Sequence, residues 1–278
     1  MSAVDLPMPA SSDEVPFSWL RVRTVVRRHG YVLLRSPHRW FDIAFWPVFD
    51  VLLWGSLGAF VAQENGVSRA TTPYLLAGIM LFHVLFQSQI AVATGFMEET
   101  WTRNILNVMT TPLRESEYIV GLAVGGLIKL VAGMGTVSLT AVAFYSFGLG
   151  EIGWGLVPII GVLLLVGWST SMLVIGLLLR FGQSAEILAW ATTFTILSVS
   201  GVFNPVESIP GVIQPIAKVL PTTYAFSAAR DLLDGGGIPW ADLGWATLGA
   251  FVLAGLSMLY VLRMLRIFRA RGYVTRYS

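Results

Sequence analysis

Six continuous apolar stretches constrain the fold of this 278-residue chain more than any other feature. A helix needs about 20 mostly apolar residues to cross the hydrocarbon core of a bilayer. The apolar residues are continuous within each stretch and do not alternate with polar ones, which disfavours strands. We therefore predict an all-α integral membrane protein in which residues 40–265 form a six-span transmembrane domain. The six predicted transmembrane helices cover 40–62, 73–95, 118–147, 155–179, 187–203 and 243–265.

The composition excludes several classes of function. Hydrophobic residues make up 55% of the chain and charged residues 12%, whereas a soluble domain carries about 25% charged residues. There is no cysteine, so disulfides, thiolate nucleophiles and cysteine-ligated metals are excluded. The three histidines are not spaced as metal ligands, and a net charge of +2 does not indicate a nucleic-acid surface. We therefore expect no catalytic residue, no metal and no nucleic-acid partner.

Lysine and arginine are concentrated on one side of the predicted spans. Fourteen of them lie on that side, three lie on the other side, and Lys129 lies within a span. Because cytoplasmic loops carry an excess of positive charge, we predict a multi-pass protein of the inner (plasma) membrane with both termini cytoplasmic. Residues 1–16 lack a signal-peptide pattern and are expected to form a disordered cytoplasmic tail. Residues 266–278 are expected to form a basic cytoplasmic tail.

Residues 17–39 precede the first span and have two different helical faces. Apolar side chains, among them Trp19, Val22 and Leu33, cluster on one face, and arginines lie mostly on the other. This pattern predicts an amphipathic interfacial helix on the inner membrane surface. The alternative is positively charged flanking sequence without a regular helix, and Gly30 weakens the middle of a helix here.

The cytoplasmic connection 96–118 joins the second and third spans and has helical periodicity. Its apolar residues recur at Trp101, Ile105, Val108 and Met109. Glu98 and Glu99 lie near its predicted start, where acidic side chains suit the helix dipole, and Pro112 ends it. We predict a short cytoplasmic helix that is rigidly joined to two spans and transmits a push from a soluble partner. The alternative is a surface helix that rests on lipid.

The external connection 204–242 joins the last two spans and contains five prolines. Its apolar residues are too interrupted for a span. Because non-helical backbone at membrane depth must lie against protein or water, we predict two re-entrant external helices, at about 209–219 and 222–233. The glycines at 235–237 are predicted to end the second of them.

Three titratable residues fall near the predicted membrane midplane. Intramembrane charges are costly and are functional candidates for that reason. We predict that Asp50 pairs with Lys129 and that His83 lies nearby, with a purely structural ion pair as the alternative.

Polar and aromatic side chains at this depth also outline a candidate substrate path. One stripe of the first span repeats every four residues, and this face could line a wet path for an amphipathic substrate or pack against other helices. The candidate path residues are Asp42, Trp46, Asp50, Trp54, His83, Gln87, Thr192 and Thr195.

The sequence contains no motif for nucleotide hydrolysis or proteolysis. Neither of its two lysines, Lys129 and Lys218, follows the glycine that a P-loop requires, and no HExxH motif occurs. Ser198 and Ser200 superficially resemble part of a membrane serine protease. A nucleophilic serine needs a nearby histidine, however, and serines in such helices commonly bond their own backbone.

Two local motifs resemble the permease subunits of ABC type-2 exporters. Residues 98–121, EETWTRNILNVMTTPLRESEYIVG, resemble the coupling-helix region of that family. Residues 200–233, SGVFNPVESIPGVIQPIAKVLPTTYAFSAARDLL, resemble its Ser-Gly turn, Asn/Phe-Pro step, Pro-initiated helix, Pro-x-x-Tyr-Ala run and final arginine. Six spans with both ends inside and a preceding amphipathic helix also agree. The chain departs from the family at Arg103-Asn104 and Leu106, where many members carry Gly-Thr and an acidic residue.

The resemblance implies partners and roles. It implies a dimer with a second permease copy or a related permease, two copies of a separate nucleotide-binding ATPase subunit, and surrounding membrane lipid. ATP and magnesium would then bind to the ATPase, and this chain would bind no cofactor itself. The implied substrate is amphipathic: a lipid, a glycolipid, a polysaccharide-lipid or a drug.

The resemblance also assigns two groups of residues. The implied ATPase-coupling residues are Glu98, Glu99, Trp101, Arg103, Ile105, Thr111 and Pro112. The implied external gate comprises Asn204, Pro205, Pro221, Tyr224 and Arg230. The alternative function is an ion-coupled secondary transporter that uses Asp50, His83 and Lys129, although no clear internal repeat supports it.

Overall fold

The computed structural model describes residues 16–64, 71–102, 104, 107–108 and 111–271, and every regular element in these ranges is helical. Nine α-helices are bounded within them. They are α1 Trp19–Leu34, α2 Pro37–Glu64, α3 Thr71–Trp101, α4 Glu115–Tyr145, α5 Leu156–Phe181, α6 Ile187–Val199, α7 Gln214–Val219, α8 Pro221–Leu233 and α9 Trp240–Arg271. Short 3-10 helices lie at Leu149–Gly155, Gln183–Glu186 and Val206–Ser208. The prediction of an all-helical protein is confirmed for these residues.

Five helices in the described part of the chain are long and apolar enough to cross a membrane. They are α2, α3, α4, α5 and α9. The fifth predicted span, 187–203, corresponds to α6, which has 13 residues and a length of about 20 Å at 1.5 Å per residue. That is shorter than a hydrocarbon core of about 30 Å, because the helix ends at Val199 and a turn replaces the predicted continuation to residue 203.

The predicted interfacial helix ends before residue 39. Helix α1 begins after Ser18, whose hydroxyl accepts a hydrogen bond from the Leu20 amide at 3.3 Å. The helical conformation is interrupted at Arg35 and Ser36, and α2 begins at Pro37. Proline is suited to the first position of a helix. At the other end of the chain, α9 continues to Arg271, so the predicted tail 266–278 is partly helical. The predicted tail 1–16 lies outside the described residues except for Pro16.

Helices α3 and α5 form the centre of the bundle. In their most apolar segments, 83% and 67% of the residues are buried, against 28% in α2 and 22% in α9, so the latter two are peripheral. The two central helices approach closely because Gly167 of α5 has no side chain. A Cβ at this position would lie 2.7 Å from the Leu85 carbonyl oxygen and would overlap the Ser88 hydroxyl.

Helix α3 connects the two ends of the bundle. Its first turns lie against the segment that follows α6: Gly78 faces the Val202 carbonyl, and the Tyr74 hydroxyl donates to Asp234. Its last turn lies beside α1, where Glu98 and Glu99 accept bonds from arginines. We call these the α8 end and the α1 end of the bundle.

Replacing Gly78 with alanine is expected to lower the free energy of unfolding by about 1–3 kcal/mol, as overpacking does elsewhere. A Cβ there would overlap the Val202 carbonyl oxygen, which belongs to the backbone and cannot rotate away. Thermal unfolding in detergent measures the effect. The matched control is Gly161→Ala in α5, where no heavy atom lies within 4 Å of the added Cβ. Equal melting temperatures for both variants would show that the contact at Gly78 is not tight.

Candidate coupling junction and substrate path

Three arginine–glutamate pairs meet at the α1 end of the bundle. The pairs are Arg21–Glu117, Arg28–Glu99 and Arg39–Glu98, and we call these six residues the α1 junction. All three arginines precede or begin the first spanning helix, and all three glutamates lie at the ends of α3 and α4 that flank the connection 102–114. The junction therefore joins α1 and the start of α2 to both sides of that connection.

Glu117 is the most completely bound carboxylate of the junction. Its side chain is fully buried and accepts two bonds from Arg21, at 2.7 and 2.6 Å. The backbone amides of Ser18 and Arg114 donate two more, at 2.6 and 3.1 Å. The hydrogen bond to Glu117 raises the pKa of Arg21. Alongside this pair, Val25 of α1 packs against Gly121 of α4.

The other two pairs hold the last turn of α3. Arg28 donates to Glu99 at 2.8 Å, and the side-chain amide of Asn104 donates to the same carboxylate at 2.6 Å. Arg39 donates to both oxygens of Glu98, at 2.6 and 2.8 Å. His29 lies 4.0 Å from Glu99, but burial lowers the pKa of His29, so the arginine is the main partner of this carboxylate.

The predicted position of Glu98 and Glu99 at the start of a separate helix is wrong. They lie in the last turn of α3, which continues to Trp101. Carboxylates are disfavoured at a helix C-terminus by the helix dipole, and the arginines of the junction compensate for this. Trp101 is exposed, as are Thr111 and Pro112. Arg103 and Ile105 lie outside the described residues, so the predicted coupling helix remains a prediction.

The connection beyond α3 borders an open groove. In this connection, the Val108 side chain is buried against the core, and the Thr111 hydroxyl donates to the Val108 carbonyl at 2.6 Å. The groove has a volume of about 540 Å³ and is lined by Arg28, Thr102, Asn104, Asn107, Val108 and Thr111. Arg28 therefore lines the groove and also forms an ion pair of the α1 junction.

Asp50 lies against His83 and not against Lys129. The His83 Nε2 atom is 3.1 Å from the Asp50 carboxylate, whereas none of the ion pairs between described side chains joins Lys129 to Asp50. The predicted Asp50–Lys129 pair is therefore not formed.

Aromatic side chains on α2 form an exposed row beside Asp50. Successive rings approach with centroid separations of 4.8 to 6.4 Å. The row consists of Phe41, Phe45, Trp46 and Phe49. One turn beyond Asp50, Trp54 stacks on Phe203 of the turn after α6, with centroids 4.0 Å apart. The side chain of Asp42 lies outside the described residues.

The remaining predicted path residues are not open polar groups. Gln87 is buried in α3. The hydroxyls of Thr192 and Thr195 each donate, at 2.7 Å, to the carbonyl four residues earlier in α6. Their hydrogen-bonding capacity is thus used within the helix, and the structure does not bring them together with Asp50.

Side-chain hydrogen bonds join the turn after α6 to α8. Gly201 has a φ of +67°, which glycine adopts without strain, and its carbonyl accepts a bond from Arg230. Ser200 and Thr222 bond each other at 2.6 Å. Burial lowers the pKa of Arg230. The Ser-Gly turn is therefore fixed directly to α8.

The other predicted gate residues lie in the same region. Asn204 donates to Ser208, and Pro205 begins the adjacent 3-10 turn. Pro221 begins α8, and the Tyr224 hydroxyl donates to the Lys218 carbonyl at 2.8 Å.

The first external helix is shorter than predicted, and α7 covers Gln214–Val219. Pro215 lacks an amide proton and so suits only the first turn of a helix. The Nε2 group of the Gln214 side chain donates to the Ile209 carbonyl at 2.9 Å, within the preceding turn.

The sequence reasoning missed Arg21 and Glu117 as functional candidates. Glu117 precedes an apolar stretch and looks like an ordinary first-turn acid. Its partner lies 96 residues away, so no local pattern predicts the pair. The only signal was the density of arginines before the first span.

Comparison with known proteins agrees with this architecture. The sequence model described as ABC-2 type transporter matches residues 22–233, from α1 to the end of α8. The chain belongs to this family. The resemblance noted from the sequence is thereby confirmed.

Two curated relatives are permeases. The inner membrane transport permease YadH of Escherichia coli K12 is 22% identical over 221 residues, which cover 76% of this chain and 82% of the relative. The daunorubicin resistance ABC transporter permease protein DrrB1 of Streptomyces coeruleorubidus is 24% identical over 244 residues, which cover 85% and 81%. The chain is thus a multi-pass transmembrane subunit of an ABC transporter, and its family implies a separate ATP-binding partner subunit.

Proposed function

We propose that this ABC-2 family permease exports an amphipathic substrate, and that a separate ATPase subunit powers it. The substrate enters from the cytoplasm or the inner leaflet and is a lipid, a glycolipid, a polysaccharide-lipid or a drug. The α1 junction is the observation that carries the proposal. It fixes an arginine-rich helix to both sides of the connection 102–114, so a push on that connection reaches α1, α3 and α4 together.

The proposed complex contains two permease copies, identical or related, and two ATPase subunits that carry ATP and magnesium. The permease itself binds no cofactor in this scheme. The α1 end, with both termini, faces the cytoplasm of an inner-membrane protein, which agrees with the distribution of arginine. The α8 end then faces outwards, and its external gate comprises Asn204, Pro205, Pro221, Tyr224 and Arg230.

The proposal is tested by purifying the detergent-solubilised chain from its native membrane and assaying ATPase activity in the eluate. We expect a stoichiometric soluble subunit with vanadate-sensitive ATPase activity. The purification is repeated in nanodiscs, because detergent can strip a peripheral subunit. An eluate without that subunit under both conditions would contradict the proposal.

Ion-coupled transport is the second candidate because Asp50 and His83 are in contact within a helix pair of spanning length. Lys129 takes no part in that contact. A clean eluate together with substrate uptake that follows a proton gradient would favour this second function.

A further inference from the structure

We propose that Asp50 and the aromatic side chains around it form a binding site for a cationic aromatic amphiphile. The inference rests on the proposed function and names the class of substrate: a flat, apolar ring system that carries an amine.

The carboxylate of Asp50 lies at the middle of a spanning helix. It is 13 residues from Pro37 and 14 from Glu64, or about 20 Å from either end of α2. A charge at this depth is costly, so such residues normally face a partner or a path. His83 covers one side of Asp50, and 31% of the Asp50 side chain remains exposed. The carboxylate is therefore open from the direction that His83 does not occupy.

His83 does not satisfy Asp50 with a regular hydrogen bond. Its ring is 2% exposed and Nε2 lies 3.1 Å from the carboxylate, but neither ring nitrogen has an aligned protein partner. Buried polar groups without a partner are rare and call for an explanation. Because the contact with His83 is not an aligned hydrogen bond, the Asp50 carboxylate keeps its capacity to accept a ligand donor on its open side.

Two aromatic groups border the pair. On α2, Trp46 and Phe49 lie one turn and one residue before Asp50, and both are exposed. On the other side, the His83 ring lies 6.1 Å from Phe86, whose ring is 6.2 Å from Trp190 of α6. Aromatic faces attract cations and stack with flat apolar rings.

Charge and ring chemistry together select the occupant. A lipid tail or the apolar face of another helix leaves the Asp50 charge without a counter-ion. An anionic headgroup would be repelled by it. An amine attached to a ring system supplies both the missing positive charge and the matching apolar surface, so this is the occupant to which the proposal commits.

The test compares three probes that differ only in charge. Each carries pyrene on a butyl chain that ends in a primary ammonium, hydroxyl or carboxylate group. Binding to the permease, purified with whatever ATPase subunit accompanies it, is measured in phosphatidylcholine nanodiscs as energy transfer from tryptophan to pyrene. Protein-free nanodiscs give the lipid background. The variants are Asp50→Asn, which removes the charge, and Asp50→Glu, which keeps it.

The wild type is expected to bind the cationic probe about tenfold more tightly than the hydroxyl probe, as a charge-assisted contact allows. Asp50→Asn should lose this preference without losing affinity for the hydroxyl probe, and Asp50→Glu should retain it. Trp46→Phe should reduce the energy transfer, which places the probe beside α2.

Equal binding of all three probes by the wild type would overturn the site, and so would a cation preference that persists in Asp50→Asn. If Asp50→Asn fails to fold, the wild-type probe comparison and Asp50→Glu still decide. A tight dimer that leaves no binding above the lipid background would assign this face to a second copy. These outcomes do not depend on whether an ATPase subunit copurifies, so failure of the site and failure of the proposed function are distinguishable.

Discussion

Replacing Glu117 with alanine is expected to release α1 from the bundle and to lower the free energy of unfolding by about 2 kcal/mol. Among the described residues, the variant removes the only acceptor of the Arg21 guanidinium besides the Pro16 carbonyl. It also removes the carboxylate that accepts a bond from the partly buried backbone amide of Ser18. An unsatisfied amide costs about 1–3 kcal/mol, and the low end applies here because water can reach these groups.

Two measurements separate this effect from a general loss of charge. Thermal unfolding in detergent reports stability, and limited proteolysis within residues 19–34 reports the release of α1. Glu207→Ala is the matched control, because Glu207 is exposed at the α8 end and forms no ion pair among the described residues. If Glu117→Ala and Glu207→Ala melted and were cleaved alike, the Glu117 contacts would contribute nothing to holding α1.

The long helices could be predicted from sequence because their signal is local. Continuous apolar residues located α2, α3, α4, α5 and α9 to within a few residues at most ends. The length of α6 was overestimated, because the apolar residues continue through Val202 and Phe203 whereas the helix ends at Val199. The positive φ of Gly201 ends the helix there, and its carbonyl bonds to Arg230, 29 residues away. No property of the stretch itself shows where it stops.

In the candidate sites, too, the sequence does not show contacts between distant residues. The sequence selected Asp50 and His83 as candidates because titratable groups within a membrane are costly, and it selected Glu98 and Glu99 from their place in the cytoplasmic connection. It could not select their partners, since an ion pair depends on how helices pack. Asp50 was assigned to Lys129 from depth alone, whereas depth is shared by every helix of the bundle. The structure turns Asp50 towards His83, on a different helix from Lys129.

Helix α3 runs from the proposed gate to the α1 junction, so it can carry movement from one to the other. Helix α3 begins against the Ser-Gly turn and α8 and ends at Glu98 and Glu99. His83 lies between these ends, on the same helix. A shift of the last turn of α3 therefore reaches the Asp50 site and the proposed gate without passing through a loop.

Replacing both Glu98 and Glu99 with alanine is expected to reduce transport at least about tenfold while ATP hydrolysis continues. The two carboxylates link Arg39 and Arg28 to the last turn of α3. Without them, the last turn of α3 loses its links to α1 and α2, and the Arg21–Glu117 pair is what remains of the junction. Interactions that couple two sites are typically worth 5- to 150-fold. Transport and ATPase activity are measured on the same proteoliposomes, which contain permease and ATPase subunit together.

A charge exchange is the control that separates coupling from folding. Arg39→Glu combined with Glu98→Arg restores the pair in reverse, and it should recover transport that either single change loses. Loss of the ATPase subunit from the double alanine variant would indicate that the glutamates maintain assembly, and unchanged transport would exclude them from coupling. The exchange restores the ion pair between positions 39 and 98 but neither original residue. If it recovers transport while ATP hydrolysis stays near the wild-type rate in every variant, the ion pair itself transmits the movement.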